Sequence, residues 1–356
     1  MRRPSVGLVK LSGALRVVPM LPSGKLRNDV LREVIFPNLG VEDAKVIYGP
    51  RAGFDSAVLE YDEENYLVVA TDPVIGVPKE AFGFFAYHFA ASDVAVFGAE
   101  PRWLVLNLLF PEGTSEEYVR EVMTDVNEEC LKYGGSVIGG HTGVYPSIPE
   151  PMGTSAVAGI VRKDKLRLPI ARPGDRIVVT AKVGLEFAVS AAYFRGRELL
   201  GVLTKKELMR LKRSFYFETV VPDALIARPF ARGMHDATEG GLTALHEIAD
   251  NSGVGFRVYA DKLHLDPLVK KVLDFYGLEP WSVSSTGTLI AIVPPEKSDV
   301  LITELLKNGI LAFELGGFTE DKERVLIENG DERPFPEFKG DPYVELYGKQ
   351  EDKPGK

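Results

Sequence analysis

Apolar residues fall into alternating helical and strand-like runs along the chain. In LRNDVLREVIFPNLG (26–40), Val30, Leu31, Val34 and Ile35 sit at helical spacing, and Pro37 and Gly40 close the segment. The runs DSAVLEY (55–61) and NYLVVATD (65–72) read as strands. The stretch 79–101 predicts a helix with Phe82, Phe85, Ala86, Phe89, Ala90, Val96 and Phe97 in one stripe. PRWLVLNLLF (101–110) follows as a strand, then an amphipathic helix over 115–135 that stops at Gly134-Gly135. GSVIGGHTG and GTSAVAGIV read as two more strands, joined by the loop VYPSIPEPM.

The composition changes at RKDKLRLPIARPGD (162–175), which is basic and broken by prolines, and a domain boundary is placed there. Beyond it RIVVTAKVG and LEFAVSAAYFRG read as strand then helix, and 287–318 as strand, helix, strand. MHDATEGGLTALHEIAD (234–250) reads as a strand end, a turn and a helix with Leu242, Leu245, Ile248 and Ala249 on its apolar face. Mixed elements in both halves predict two α/β or α+β domains, over 1–165 and 170–340. A polar tail, 341–356, is expected to fray.

Length and charge narrow the function. A chain of 356 residues exceeds what one hydrophobic core ordinarily organises. The net charge of -9 and the lack of any dense Lys/Arg run argue against nucleic acid as a partner. No apolar stretch is long enough for a membrane span, and MRRPSVGLVK lacks the apolar core of a signal peptide, so a cytoplasmic protein is expected. One cysteine, Cys130, shares a helix face with Val122 and Val126, which predicts a buried thiol and excludes a disulfide framework.

Several polar residues do not fit a purely structural reading. Asp93 falls inside the apolar stripe of its helix, where a carboxylate needs a hydrogen-bonding partner, a counter-charge or a cation. It either caps a neighbouring loop or serves a metal or catalysis. Asp72 ends an apolar strand and Asp55 opens one; either alone is equally a turn residue, but the three together suit Mg²⁺. The glycines around His141 in GGSVIGGHTG serve either phosphate contact or tight turns. PSGK (22–25) is not a Walker A loop, and HEIAD (246–250) is not a zincin motif because Asp250 replaces the second His. His246 reads as a surface or packing residue. Thr238 is read as an N-cap, with Gly240 and Gly241 leaving the first-turn N–H groups open to an anion beside His235 and Asp236.

In order, PSGK, FDSAVL, ATDPVIG, ASDVAVFGAEP, IGGHTG, PGDRIVVTAKVG, MHDATEGGL and STGTLIAIVPPE resemble the motifs of the PurM-like, or AIR synthase-related, ATP-binding superfamily. PSGK followed at once by a helix, and HDATEGGL, resemble its HypE branch. The resemblance implies a two-domain α/β (α+β) fold, with the N-terminal domains of a homodimer forming a β-barrel beside the ATP groove. It implies metal-coordinating roles for Asp55, Asp72 and Asp93, and nucleotide contacts for Lys25, Gly139, Gly140, Thr142, Thr238, Gly240 and Gly241. His235, Asp236 and His141 are the catalytic candidates, with either histidine as the proton shuttle.

ATP and Mg²⁺ are the expected cofactors, and the expected chemistry is γ-phosphoryl transfer to an oxygen of a small molecule or partner. Two features depart from the HypE pattern: the tail EDKPGK carries no acceptor cysteine, and His141 stands where many members have a carboxylate. The alternatives are a nucleotide-binding accessory protein in hydrogenase metallocentre maturation, with a protein partner, and a kinase resembling thiamine-monophosphate kinase.

Overall fold

The computed structural model describes residues 6–11, 14–19, 21 and 23–348. Pro22 of PSGK, the first five residues and the tail from Lys349 therefore lie outside the described residues. The chain divides into an N-terminal unit, Met1–Val41, and a larger unit, Glu42–Lys356. In the first, strands β1 (Val6–Leu11) and β2 (Ala14–Pro19) pair antiparallel. Its helical segment begins as α1 (Asn28–Val30), widens to a π-turn over Leu31–Ile35 and tightens to a 3₁₀ turn over Phe36–Asn38.

The larger unit starts with β3 (Val46–Tyr48), β4 (Ala57–Glu60), β5 (Asn65–Val74), α2 (Phe82–Val96), β6 (Glu100–Pro111), α3 (Glu116–Tyr133), β7 (Ser136–Tyr145) and β8 (Met152–Arg162). Its strands form a six-stranded sheet in the order β3-β4-β5-β8-β6-β7. All pairs are antiparallel except β6/β7, which the crossover helix α3 connects. In β6 Leu104, Leu106, Leu108 and Phe110 are buried, whereas Val105 on the opposite face is 44% exposed. The buried face packs on α2 and the other is open.

Helix α2 corrects the sequence reading. Its apolar residues do not form a stripe: every residue except Phe89 is buried. The helix lies between the sheet on one side and α3 and elements of the C-terminal half on the others, so no face meets water. Burying side chains such as Phe82 and Phe85 contributes about 2 kcal/mol each. Helix α3, by contrast, follows the sequence signals. Ser115 Oγ accepts from the Tyr118 N–H, Gly134 ends it at φ 73°, and Cys130 is buried with Val122 and Val126.

After a linker over 163–175 come β9 (Arg176–Thr180), α4 (Leu185–Phe194), α5 (Gly196–Leu199), α6 (Lys205–Lys212) and α7 (Val221–Ala227). Next are β10 (Gly233–Asp236), α8 (Ala244–Ser252), β11 (Gly255–Tyr259), α9 (Pro267–Tyr276), β12 (Leu289–Val293), α10 (Ser298–Lys307), β13 (Ala312–Thr319), β14 (Arg324–Glu328), β15 (Asp331–Pro334) and α11 (Tyr343–Gly348). The sheet order is β10-β12-β9-β13-β11-β14-β15. One face carries Val178, Met234 and Ala291 into the core shared with α2. The other buries Val179, Ile290 and Ile292 with Leu245 and Ile248 of α8. The tail does not fray throughout: Asp341 and Leu346 are buried, and Leu346 O accepts from the Arg195 guanidinium.

Candidate active site

Strand β10, buried along its whole length, carries His235 and Asp236 at its carboxyl end. The loop before β4 meets it from the N-terminal half. Gly53, at φ 75°, lets that loop press on α8; a Cβ there would stand 2.8 Å from Glu247 Cβ. Asn251 Nδ2 donates to Ala52 O at 3.1 Å and holds the contact. Phe54 packs on Phe97 at the end of α2, and the next residue, Asp55, is delivered to His235.

The His235 ring is buried. Its Nδ1 lies 2.6 Å from the carbonyl of Asp236, so Nδ1–H is the donor and the oxygen accepts. Nε2 faces Asp55 Oδ2 at 3.6 Å and Glu247 Oε2 at 3.7 Å, with no hydrogen-bond partner of its own. Burial opposes a charge on this ring most strongly. The Asp55 carboxylate, with Asp236 and Glu247, outweighs it and raises the imidazole well above its ordinary value.

Among the described residues, Asp55, His235 and Asp236 form the one group whose ligand atoms all lie within 4.8 Å of one another. Asp236 Oδ1 is buried and has no hydrogen-bond partner. The carboxylates suit a hard cation such as Mg²⁺. The donor set thus fits Mg²⁺ through the carboxylate oxygens of Asp55 and Asp236.

Asp72 and Asp93 do not join this group. Asp93 is buried in the last turn of α2, and its carbonyl accepts from Ser56 Oγ at 3.0 Å, which ties α2 to the residue after Asp55. Asp72 is half-buried on β5, in register with Ser155. His141 is exposed on β7, 2.6 Å from the Tyr145 hydroxyl, and stands outside the group as well. Gly139 and Thr142 flank it, also exposed, on the same edge strand. Gly140 is required by packing, since a Cβ would sit 1.9 Å from Leu106 O. Lys25 is exposed in a bend of the N-terminal unit.

The turn ahead of α8 differs from its sequence reading. A 3₁₀ turn over Gly241–Thr243 precedes the helix, which starts at Ala244 without a side-chain cap. Thr238 acts through its carbonyl, which accepts from the Gly241 N–H at 2.8 Å. The Gly240 N–H is not open: it donates to Asp341 Oδ2 at 2.8 Å, and Phe338 covers the same residue. Asp341 Oδ1 accepts in turn from the Ser284 hydroxyl and the Tyr343 N–H.

Sequence reasoning missed Glu247, Asp341, Glu186 and Glu218. Glu247 was legible only as part of a failed zincin motif. Glu186 accepts from Thr286 Oγ1 at 2.6 Å, and burial pushes its carboxyl up to about 7. Burial, and then Glu186, raise the Glu218 carboxyl well above its ordinary value. The folded state therefore holds a proton on Glu186 that the unfolded chain, near the ordinary 4.5, releases. This contribution is fully present below pH 4.5 and is lost as the pH rises to about 7. Glu186→Gln is accordingly expected to match the parent in urea unfolding at the acid end. At pH 8 it should be more stable by about 3 kcal/mol. Equal stability at both pH values would refute the assignment.

The pattern of AIR synthase related protein, N-terminal domain, matches residues 53–161, and that of the C-terminal domain matches 172–328. The chain belongs to the AIR synthase-related, PurM-like family. Within it the chain is similar to the carbamoyl dehydratase HypE of Azotobacter vinelandii, at 30% identity over 73% of this chain and 77% of that one. A Methanocaldococcus jannaschii protein named for hydrogenase expression/formation is 26% identical over 86% of this chain and 91% of its own length. The fold matches that of E. coli HypE with a TM-score of 0.69 at 24% identity, covering 80% of this chain and 89% of that one. A HypE solved in complex with ATP matches with a TM-score of 0.63 at 18% identity, over 91% and 98%. Among the described residues no helix is long and apolar enough to cross a membrane.

Proposed function

We propose that the protein binds ATP with Mg²⁺ and transfers the γ-phosphoryl group to an oxygen of a small-molecule or partner substrate, as a HypE-like member of its family. The observation that carries this reading is the convergence of Asp55, Asp236 and Glu247 on buried His235, a compact set of carboxylates drawn from both halves of the chain. Phosphoryl transfer needs positioning and charge neutralisation more than covalent participation. Mg²⁺, when bound, neutralises the phosphate oxygens. Asp55 and Asp236 would hold it; the metal roles read for Asp72 and Asp93, which lie outside that compact group, belong to the same proposal as ligands that join once nucleotide is bound. His235 is placed to keep or release a proton at Nε2 as the local charge changes.

The nucleotide contacts assigned to Lys25, Gly139, Gly140, Thr142, Thr238, Gly240 and Gly241 belong to this proposal, as do His141 and the homodimer, whose contact would lie on the open face of the first sheet. The fold likeness extends to a HypE–HypF complex with a TM-score of 0.66, which supports a protein partner in hydrogenase maturation. Asp341 holds the Gly240 N–H that a phosphate would use. Asp341→Ala is therefore expected to raise ATP affinity about tenfold in calorimetry, since a charged hydrogen bond is worth roughly 1.5–3 kcal/mol. Unchanged affinity would move the phosphate away from Gly240.

The reading as a whole is tested by ADP formation from ATP with and without Mg²⁺. Tight ATP binding with no ADP formed would instead favour the nucleotide-binding accessory role. A screen of phosphorylated cofactors as acceptors separates the kinase reading, which the fold likeness to ThiL in complex with AMPPCP and TMP supports at a TM-score of 0.64.

A further inference from the structure

We infer that a second ligand site lies beside α6, in a cavity suited to a small organic phosphate with an apolar or aromatic body. The cavity measures about 990 Å³, at the top of the range of ligand pockets. None of its lining residues belongs to the group around His235. Its inner wall is apolar, with Val183, Leu185 and Val269 buried in the core.

The polar point of the floor is self-compensated. Lys182 Nζ donates to the fully buried Asp223 at 2.8 Å and to Thr219 O at 2.9 Å. Burial raises the Asp223 carboxyl and the lysine opposes that rise, so the floor's lysine is already engaged by its own carboxylate.

The mouth is different. Lys206, Arg210 and Arg213 line it at i, i+4 and i+7, one face of α6 and its exit. Arg210 reaches Asp266 only at 3.5 Å, and among the described residues Lys206 and Arg213 have no ion-pair partner. Three adjacent cations on a chain of net charge -9 make a local anion seat. Two guanidinium forks and an ammonium match the three terminal oxygens of a phosphate better than the two of a carboxylate. Tyr216 and Phe217, 57% and 61% exposed, stand at the same mouth and offer ring faces to the ligand body. The apolar wall then takes the body while the rim takes the phosphate.

Calorimetry with 1-naphthyl phosphate and with inorganic phosphate on the full chain tests this. One equivalent of 1-naphthyl phosphate is expected to bind with Kd below roughly 1 mM, with inorganic phosphate at least about tenfold weaker. The exposed double variant Arg210→Ala/Arg213→Ala should weaken the naphthyl ester by about tenfold or more while its circular dichroism is unchanged. Tyr216→Ala should weaken the naphthyl ester but not inorganic phosphate. No saturable binding, or affinity untouched by the double variant, would overturn the site.

Discussion

Asp55→Asn and Asp236→Asn are each expected to lower Mg²⁺-dependent ADP formation by at least about 100-fold, equivalent to roughly 2.7 kcal/mol of transition-state stabilisation. The two carboxylates come from opposite halves of the chain and meet only at His235. Asp236 Oδ1 is already buried without a hydrogen-bond partner, so it has been desolvated in advance of whatever it binds. An amide at that position keeps the shape and loses the charge. In Asp55→Asn the His235 ring also loses the neighbour that does most to raise it above its ordinary value.

The Mg²⁺-induced rise in melting temperature gives a readout that needs no turnover, and it should shrink in both variants. If both turnover and the Mg²⁺ shift survive in either variant, the metal reading fails there. Asp93→Asn discriminates further. Its side chain stands outside the compact group, so a loss as large as that of Asp55→Asn would mean that Asp93 joins the ligands once nucleotide is bound.

How much of this was legible follows the range of the interactions involved. Helix α3 could be read to its ends because Ser115, Gly134 and an apolar face are local signals. Helix α2 misled because periodicity assumes one wet face, and this helix has none. The motif residues His235, Asp236 and Asp55 were each visible, yet their meeting depends on Gly53 and Asn251, which only the folded contact of the 51–55 loop with α8 explains. The turn at Gly240 failed for a similar reason. Its N–H looked open because its partner, Asp341, is a hundred residues away in a segment read as a polar tail. Sequence reveals what a residue can donate or accept, but not which distant group has already taken it.

Gly233→Ala is expected to be strongly destabilising. Gly233 opens β10, which among the described residues is an edge strand paired with β12 alone. A Cβ there would lie 1.9 Å from Leu168 O and 3.2 Å from Ile292 Cδ1. The Leu168 carbonyl is held in turn by the Ile170 N–H at 2.7 Å, so the linker cannot yield cheaply. Either the linker or the strand must move by about an ångström, at a cost of about 3 kcal/mol in a packed interior. If the strand moves, His235 and Asp236, two and three residues on, leave their places beside Asp55. The Mg²⁺-induced stabilisation should then fall with the unfolding free energy. Gly196→Ala is the contrast, because its added methyl would meet Leu208 at an ordinary 3.4 Å. That variant should stay within about 0.5 kcal/mol of the parent. Urea unfolding of the two side by side decides the matter: a Gly233→Ala protein within about 1 kcal/mol of the parent would show that the linker gives way and that β10 is not held from that side.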